Sequence, residues 1–179
     1  MIGPDDTVRL PGAAVSTQID YEAELTIIIG KGGRNIAPEQ AMDHVFGHTI
    51  INDLTARDVQ MRHAHWYLGK SFDTFCPMGP WIVSADELDG ANTRVRCWVT
   101  PAGGAPELRQ DALTTDLIFD LPTLDRHLLA RHHALPRRHH RHRHLGRCRH
   151  GHEPAALAGS GRRGDDRDRR HWALDEPLC

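Results

Sequence analysis

Asp20, Glu22 and Glu24 alternate along the stretch Ile19 to Gly30, which closes in the apolar run Leu25-Thr26-Ile27-Ile28-Ile29. In a strand, a period of two aims all three carboxylates at one face. Acids side by side repel unless something positive sits among them. The spacing therefore marks either a solvated strand face or a place where a positive group is held. A second concentration of chemistry follows the apolar segment Phe46 to Asn52, where Asp53, Arg57, Asp58 and Gln60 fall within eight positions. Polar density directly after an apolar strand suggests a site at the strand's end. The loop Gly30-Lys31-Gly32-Gly33 has neither a Walker pattern nor dinucleotide-fingerprint spacing. His48, His63 and His65 have no assigned role, and Cys76 and Cys97 lack partner spacing and read as core residues.

The elements that must position these groups are mostly strands. Residues 19–30 read as one strand ending in a Gly turn, and Ala37 to Val45 as a short helix with Pro38 and Glu39 in its first turn. Phe46 to Asn52 returns to strand. Gly69 to Trp81 is rich in turn formers, Trp81-Ile82-Val83 resumes a strand, and Arg94 to Val99 alternates with Val95, Cys97 and Val99 on one face. The expected class is mainly β with few helices (α+β).

The 179 residues suffice for one domain, with 4 cysteines, no 18-residue apolar run and no basic-then-apolar leader. A reducing cytoplasm is the expected location. The net charge of -2 hides an asymmetry: residues 1–124 hold 9 Lys+Arg against 17 Asp+Glu, residues 125–179 hold 13 Arg against 7 Asp+Glu. The last 55 residues carry 10 of the 14 histidines and no Ile, Val, Phe, Tyr or Met. Such a stretch cannot bury enough apolar area to offset roughly 1–2 kcal/mol of backbone entropy per residue, so 125–179 is expected to be disordered and to form no domain. A His-rich metal tract, a basic arm for nucleic acid and a reading-frame error compete for it. Back-translated and read one base later, His139 to His144 permits Ile-Ile-Ala-Thr-Gly-Thr, and Arg162 to Glu176 permits a globular segment containing Glu-Ile-Asp-Gly-Ile-Gly. The shifted phase can be followed back to Asp125, which places a one-base insertion, or a two-base deletion, just after Leu124. The absence of Lys and of interleaved aromatics argues against the arm.

Three motifs in order, Asp20-Tyr21-Glu22-Ala23-Glu24-Leu25, Asn52 to Gln60, and Gly69-Lys70-Ser71-Phe72-Asp73-Thr74-Phe75-Cys76-Pro77-Met78-Gly79-Pro80-Trp81, resemble the fumarylacetoacetate hydrolase family. The resemblance runs from about Ile2 to Leu124, and the phase-shifted tail extends it. It implies a mixed β-sandwich roll and an enzyme that cleaves, decarboxylates, hydrates or isomerises small 2-oxo carboxylic acids with Mg²⁺, Mn²⁺ or Ca²⁺. Glu22, Glu24 and Asp53 match the metal ligands, and three carboxylates suit a hard divalent cation. Lys70 matches the active-site lysine that would stabilise an enolate or oxyanion. Arg57 and Gln60 match substrate-binding positions and, one turn apart in a helix, could present a fork to a distal carboxylate and an amide to an oxygen. Arg57 pairing with Asp58 is the structural alternative. Thr74 is expected to line the pocket, and Asp20 to be an outer or exposed residue. A homodimer, no nucleic acid and no membrane are implied for an intact member.

Met1-Ile2-Gly3-Pro4-Asp5 resembles the middle of a family member, so residues 1–124 are expected to be a partial catalytic domain lacking an upstream His/Glu pair, and inactive as written. The alternative is a noncatalytic protein whose Arg/His tail binds nucleic acid or metal. Acylpyruvates, oxaloacetate-like acids and dienoates of aromatic catabolism stay open as substrates. Resequencing the source DNA from a few hundred bases upstream of codon 1 through codon 130 decides the origin of the break: loss of the extra base makes it a sequencing error, and an unchanged count makes it a property of the gene.

Overall fold

The computed structural model describes residues 1–124 and 139–141. The expected disorder of 125–179, the frame break's products and the alternative Arg/His-tail function all lie outside the described residues, apart from the backbone at 139–141. The described elements are β1 (Ile19–Asp20), β2 (Ala23–Ile29), a 3-10 helix (Pro38–His44), β3 (Val45–Asn52), β4 (Thr55–Ala56), α1 (Arg57–Arg62), a 3-10 helix (Trp66–Lys70), β5 (Val83–Ser84), β6 (Arg94–Val99), β7 (Glu107–Leu113) and β8 (His139–Arg141), with two further short 3-10 turns. This is the strand-dominated class expected.

β2 is the centre of the molecule. All seven of its residues are buried, as an apolar β-branched run demands when both faces are covered. It lies within a four-stranded antiparallel sheet of order β5-β3-β2-β8. Its partner β3 pairs in a register that sets Ala23 opposite Asn52, Glu24 opposite Ile51 and Ile27 opposite His48, with a bulge between Ile28 and Ile29. On one face Ala23 and Leu25 pack against Val95 and Cys97 of β6, and Ile27 and Ile29 pack against Leu121. Full burial of a side chain such as Leu25 stabilises by about 1.5–3 kcal/mol. Glu24 and Thr26 occupy the opposite face, which is how an apolar strand can carry a functional carboxylate.

The remaining strands close around this sheet. β6 and β7 form an antiparallel hairpin across the expected turn at 101–106. Gln110 of β7 acts as a surrogate strand for β2: its amide oxygen accepts from the Ala23 N–H at 3.1 Å and its amide nitrogen donates to the Ala23 carbonyl at 2.7 Å. The rest of that edge pairs with β8, Thr26 opposite Arg141 through Ile28 opposite His139, a backbone interaction that asks nothing of side-chain type. β5 reaches β3 because Gly47 has no side chain there; a Cβ at Gly47 would lie 2.2 Å from the Val83 carbonyl oxygen.

Three expectations change in detail. The stretch 19–30 is two strands instead of one, because β1 pairs with β4 while β2 pairs with β3, and the chain steps between them at Tyr21 and Glu22. The helix near 37–45 is 3-10, opened by an i to i+3 bond from the Gln40 N–H to the Ala37 carbonyl at 3.0 Å. Trp81 and Ile82 lie outside any strand and are exposed, with only Val83–Ser84 pairing. No helix among the described residues is long and apolar enough to cross a membrane.

Cys97 is 1% exposed, and burial, with a smaller contribution from Asp20, pushes its thiol up to about 12. Alkylation of the folded chain at pH 8 is expected to leave Cys97 unmodified by mass spectrometry, while the denatured chain is labelled there. Labelling at equal rates would show that this face of β2 is not packed.

Candidate functional site

The β2–β3 pairing gathers the acids. Glu22 sits one residue before β2 and Asp53 one residue after β3, so the antiparallel register brings them side by side. The Asp53 N–H donates to the Glu22 carbonyl at 2.8 Å, and the Glu22 N–H donates to Asn52 Oδ1 at 3.2 Å. Glu24 follows on β2. One carboxylate oxygen from each of Glu22, Glu24 and Asp53 falls within 4.8 Å of the others, and all three residues are buried.

Two cations lie against this cluster. Lys70, the last residue of its 3-10 helix, has a side chain only 8% exposed, with Nζ 2.6 Å from Glu22 Oε2 and 2.7 Å from Asp53 Oδ2. Arg57, the first residue of α1, places Nη2 2.6 Å from Glu22 Oε1 and 2.7 Å from Asp20 Oδ2, with Nε 2.9 Å from the same Asp20 oxygen. Glu22 is thus shared between the two, one oxygen to each. Burial pushes its carboxyl pKa up, yet the hydrogen bonds and charges of Lys70 and Arg57 outweigh burial and hold it below the usual carboxylate range. Burial likewise works to lower the Arg57 pKa, and Glu22 and Asp20 more than reverse that.

Four carboxyl groups, from Asp20, Glu22, Glu24 and Asp53, thus gather around the two basic side chains Arg57 and Lys70. The converging donors are all carboxylate oxygens. Such a group fits a hard divalent cation of the Mg²⁺, Mn²⁺ or Ca²⁺ type by charge and by donor chemistry.

Of the residues singled out in the sequence, Glu22, Glu24, Asp53 and Lys70 meet. Arg57 and Gln60 also meet: Arg57 Nη1 donates to Gln60 Oε1 at 3.0 Å. The guanidinium is turned toward Asp20 and Glu22, not toward Asp58, whose carboxylate accepts from the Ser16 hydroxyl at 2.6 Å and the Thr17 N–H at 3.2 Å. Asp20 is the outer partner of Arg57. A cleft of about 440 Å³ opens beside the cluster, lined in part by Asp53, Tyr67, Lys70, Ser71, Phe72 and Phe75.

Thr74, Arg57 and Gln60 are not among the residues lining that cleft. Thr74 holds φ +69°, a left-handed conformation that a β-branched residue adopts only under strain. Its hydroxyl oxygen accepts from the Arg9 N–H at 2.8 Å, which ties the segment before β1 to this loop. Sequence reasoning passed over Tyr67; its signal is the three-residue spacing to Lys70, which places both on one side of a 3-10 helix. His48 is 1% exposed on the opposite face of the sheet, and its ring nitrogens have no hydrogen-bond partner among the described residues. Burial lowers its pKa against the field of Asp89.

The family model for the fumarylacetoacetate (FAA) hydrolase C-terminal region matches residues 1–137. Among curated proteins the chain is 47% identical over 110 residues to the oxaloacetate tautomerase YisK of Bacillus subtilis (strain 168), covering 62% of this chain and 35% of that one. It is 43% identical over 127 residues to the mitochondrial oxaloacetate tautomerase fahd2 of Xenopus laevis, covering 69% and 38%. The chain therefore spans under two fifths of the length of either relative. Its fold is similar to that of the maleylpyruvate hydrolase from Sphingobium sp. SYK-6, solved with manganese(II) and pyruvate, at TM-score 0.64 and 37% identity over 75% of this chain and 46% of that one. It is also similar to the 5-carboxymethyl-2-hydroxymuconate delta-isomerase of Mycobacterium smegmatis, at TM-score 0.69 and 34% identity over 76% and 51%.

Removing Arg57 leaves Asp20 and the buried Glu22 without their shared partner. With chelator present, Arg57→Ala is expected to lower unfolding free energy by roughly 3 kcal/mol at pH 7. Because the Glu22 pKa is lowered in the fold, its stabilisation is full above the ordinary carboxylate range and fades as pH falls through the lowered value. The penalty should accordingly shrink at pH 3.5 in urea unfolding. A pH-independent penalty would contradict the pairing.

Proposed function

Since the chain belongs to the fumarylacetoacetate hydrolase family, whose relatives include tautomerases, isomerases and hydrolases, we propose that Glu22, Glu24 and Asp53 hold a divalent cation, Mg²⁺ or Mn²⁺, and that the site acts on small 2-oxo carboxylic acids. The observation that carries this is the meeting of three buried carboxylates within 4.8 Å beside a buried lysine. When bound, the cation supplies a Lewis acid that draws electron density from the 2-oxo group and so acidifies the C3–H.

The chain's own residues hold the site together and stabilise the developing charge. Lys70 is anchored on Glu22 and Asp53 by two of its three N–H groups and donates the third to the oxygen that becomes negative as the enolate develops, a charge that grows only along the reaction and is therefore stabilised selectively. Its burial strengthens that interaction by excluding water. Arg57 is a positioning residue: clamped by Asp20, it holds Glu22 Oε1 while Lys70 holds Oε2, which restricts the carboxylate to one orientation. Gln60, bonded to Arg57, extends that clamp into α1. Arg57 and Gln60 remain the side chains proposed to meet a distal carboxylate and an oxygen of the substrate.

Keto–enol interconversion at C3 is the step common to tautomerisation, isomerisation and C–C cleavage of such acids, and oxaloacetate is the first substrate to assay, given the tautomerases at 47% and 43% identity. We also propose that residues 1–124 form the metal-bearing part of the catalytic domain, that 125–179 contributes no domain, that the protein is cytoplasmic, and that an intact member is a homodimer.

Titration calorimetry with Mn²⁺ tests the assignment. Glu24→Gln, which keeps the side-chain shape, is expected to weaken Mn²⁺ binding by more than the roughly tenfold lost when an outer partner is removed. Lys70→Met is expected to retain Mn²⁺ binding while weakening oxalate binding at the loaded site about tenfold, by loss of one hydrogen bond to a charged oxygen. Undiminished Mn²⁺ affinity in Glu24→Gln would refute the metal site.

A further inference from the structure

We propose that Tyr67 determines specificity at this site, its ring packing on the portion of a 2-oxo acid that projects beyond C3 and favouring substrates whose tail is planar and conjugated. This rests on the metal-site proposal above and names the substrate class.

The placement follows from local geometry. Trp66–Lys70 is a 3-10 helix, in which residues three apart eclipse each other, so Tyr67 and Lys70 project from the same side. Lys70 is fixed by its contacts with Glu22 and Asp53, and Tyr67 lines the same cleft as Lys70 and Asp53. The helix cannot shift easily. Gly69 lies directly on the start of α1, where a Cβ would stand 2.7 Å from the Ala56 carbonyl oxygen and 2.8 Å from the Gln60 Cβ. At its end the Ser71 hydroxyl donates to the Tyr67 carbonyl at 2.6 Å. The Tyr67 backbone is thus fixed next to Lys70, and its ring lines the same cleft.

Its surroundings match a flat tail. Phe72 and Phe75 line the cleft too, their ring centroids 5.2 Å apart, and Phe75 is fully buried while Tyr67 is 58% exposed. The Tyr67 ring leans on the His65 ring, centroids 5.8 Å apart and tilted by 39°, which steadies one edge of a side chain that lines the cleft. A ligand whose carboxylate and 2-oxo oxygen lie at the Asp53–Lys70 end and whose tail runs along the cleft passes Tyr67 and Phe72. A saturated tail meets these rings through hydrophobic contact alone. A conjugated one adds offset stacking, which the tyrosine quadrupole favours.

The test uses the full chain loaded with Mn²⁺ and two probes: oxalate, which has no tail, and 2,4-dioxopentanoate, whose enol is planar and conjugated. In titration calorimetry Tyr67→Ala is expected to raise the Kd for 2,4-dioxopentanoate about tenfold and to leave that for oxalate within about twofold. Tyr67→Phe, which keeps the ring, is expected to bind both probes like the unmutated chain, and a thermal melt establishes that each variant folds. Equal weakening of both probes by Tyr67→Ala, no change for 2,4-dioxopentanoate, or a Tyr67→Phe variant as weak as Tyr67→Ala overturns the assignment. Failure of the unmutated chain to bind Mn²⁺ overturns the metal-site proposal itself, and the role of Tyr67 with it; a loaded chain that binds oxalate but not 2,4-dioxopentanoate overturns the role of Tyr67 alone.

Discussion

The site depends on holding four carboxylates together inside a small protein. Unscreened acids at hydrogen-bonding range repel, and burial makes each charge costlier still. The structure offsets this with Lys70 and Arg57, and it does so through one residue: Glu22 gives one oxygen to each cation. Asp20 then completes Arg57, and Asp53 completes Lys70. This chain of ion pairs links β1, β2, α1, the 3-10 helix at Trp66–Lys70 and the loop after β3. A site that needs so many elements in register is also a reason for those elements to stay in register.

β2 resolves the conflict between an apolar core and a charged site by using its two faces. Alternation sends Ala23, Leu25, Ile27 and Ile29 to the hairpin β6–β7 and to Leu121, and sends Glu24 the other way. The strand is buried on both faces, so the cluster sits against packed backbone and not on a solvated edge. The low effective dielectric there strengthens the Lys70 contacts and, in the proposed reaction, the stabilisation of a developing oxyanion. The same burial that threatens the carboxylates makes them useful. Membership in the fumarylacetoacetate hydrolase family accords with this economy: the relatives named above include tautomerases, an isomerase and a hydrolase.

The residue types and most strand positions were legible in the sequence because they follow from short-range regularities. The alternation at 20, 22 and 24, the β-branched run after it, and the polar burst after Asn52 each announced an element or its end. Other features depended on side-chain direction and were not legible. Arg57 was as well placed for Asp58 as for a ligand until β1, pairing with β4, brought Asp20 into its reach. Thr74 belongs to the expected loop, but a left-handed backbone gives its hydroxyl to Arg9. The apparent single strand at 19–30 hid a change of sheet, since composition says which residues extend but not which neighbour each half finds.

By itself the sequence determined the donor chemistry: which side chains carry oxygen, which carry charge, and the period that puts three acids on one side of an extended chain. It also determined the contrast between an acidic body and an Arg/His-rich tail, because composition requires no folding to be read. Only the tertiary structure decided that Glu22 and Asp53 lie side by side, since they are 31 positions apart in the chain and meet solely through the antiparallel register of β2 and β3. It alone decided that Lys70 is buried against them and that Tyr67 shares its cleft. The physical reason is that identity and periodicity are local properties of the chain, whereas proximity is set by pairing and packing between segments far apart in it.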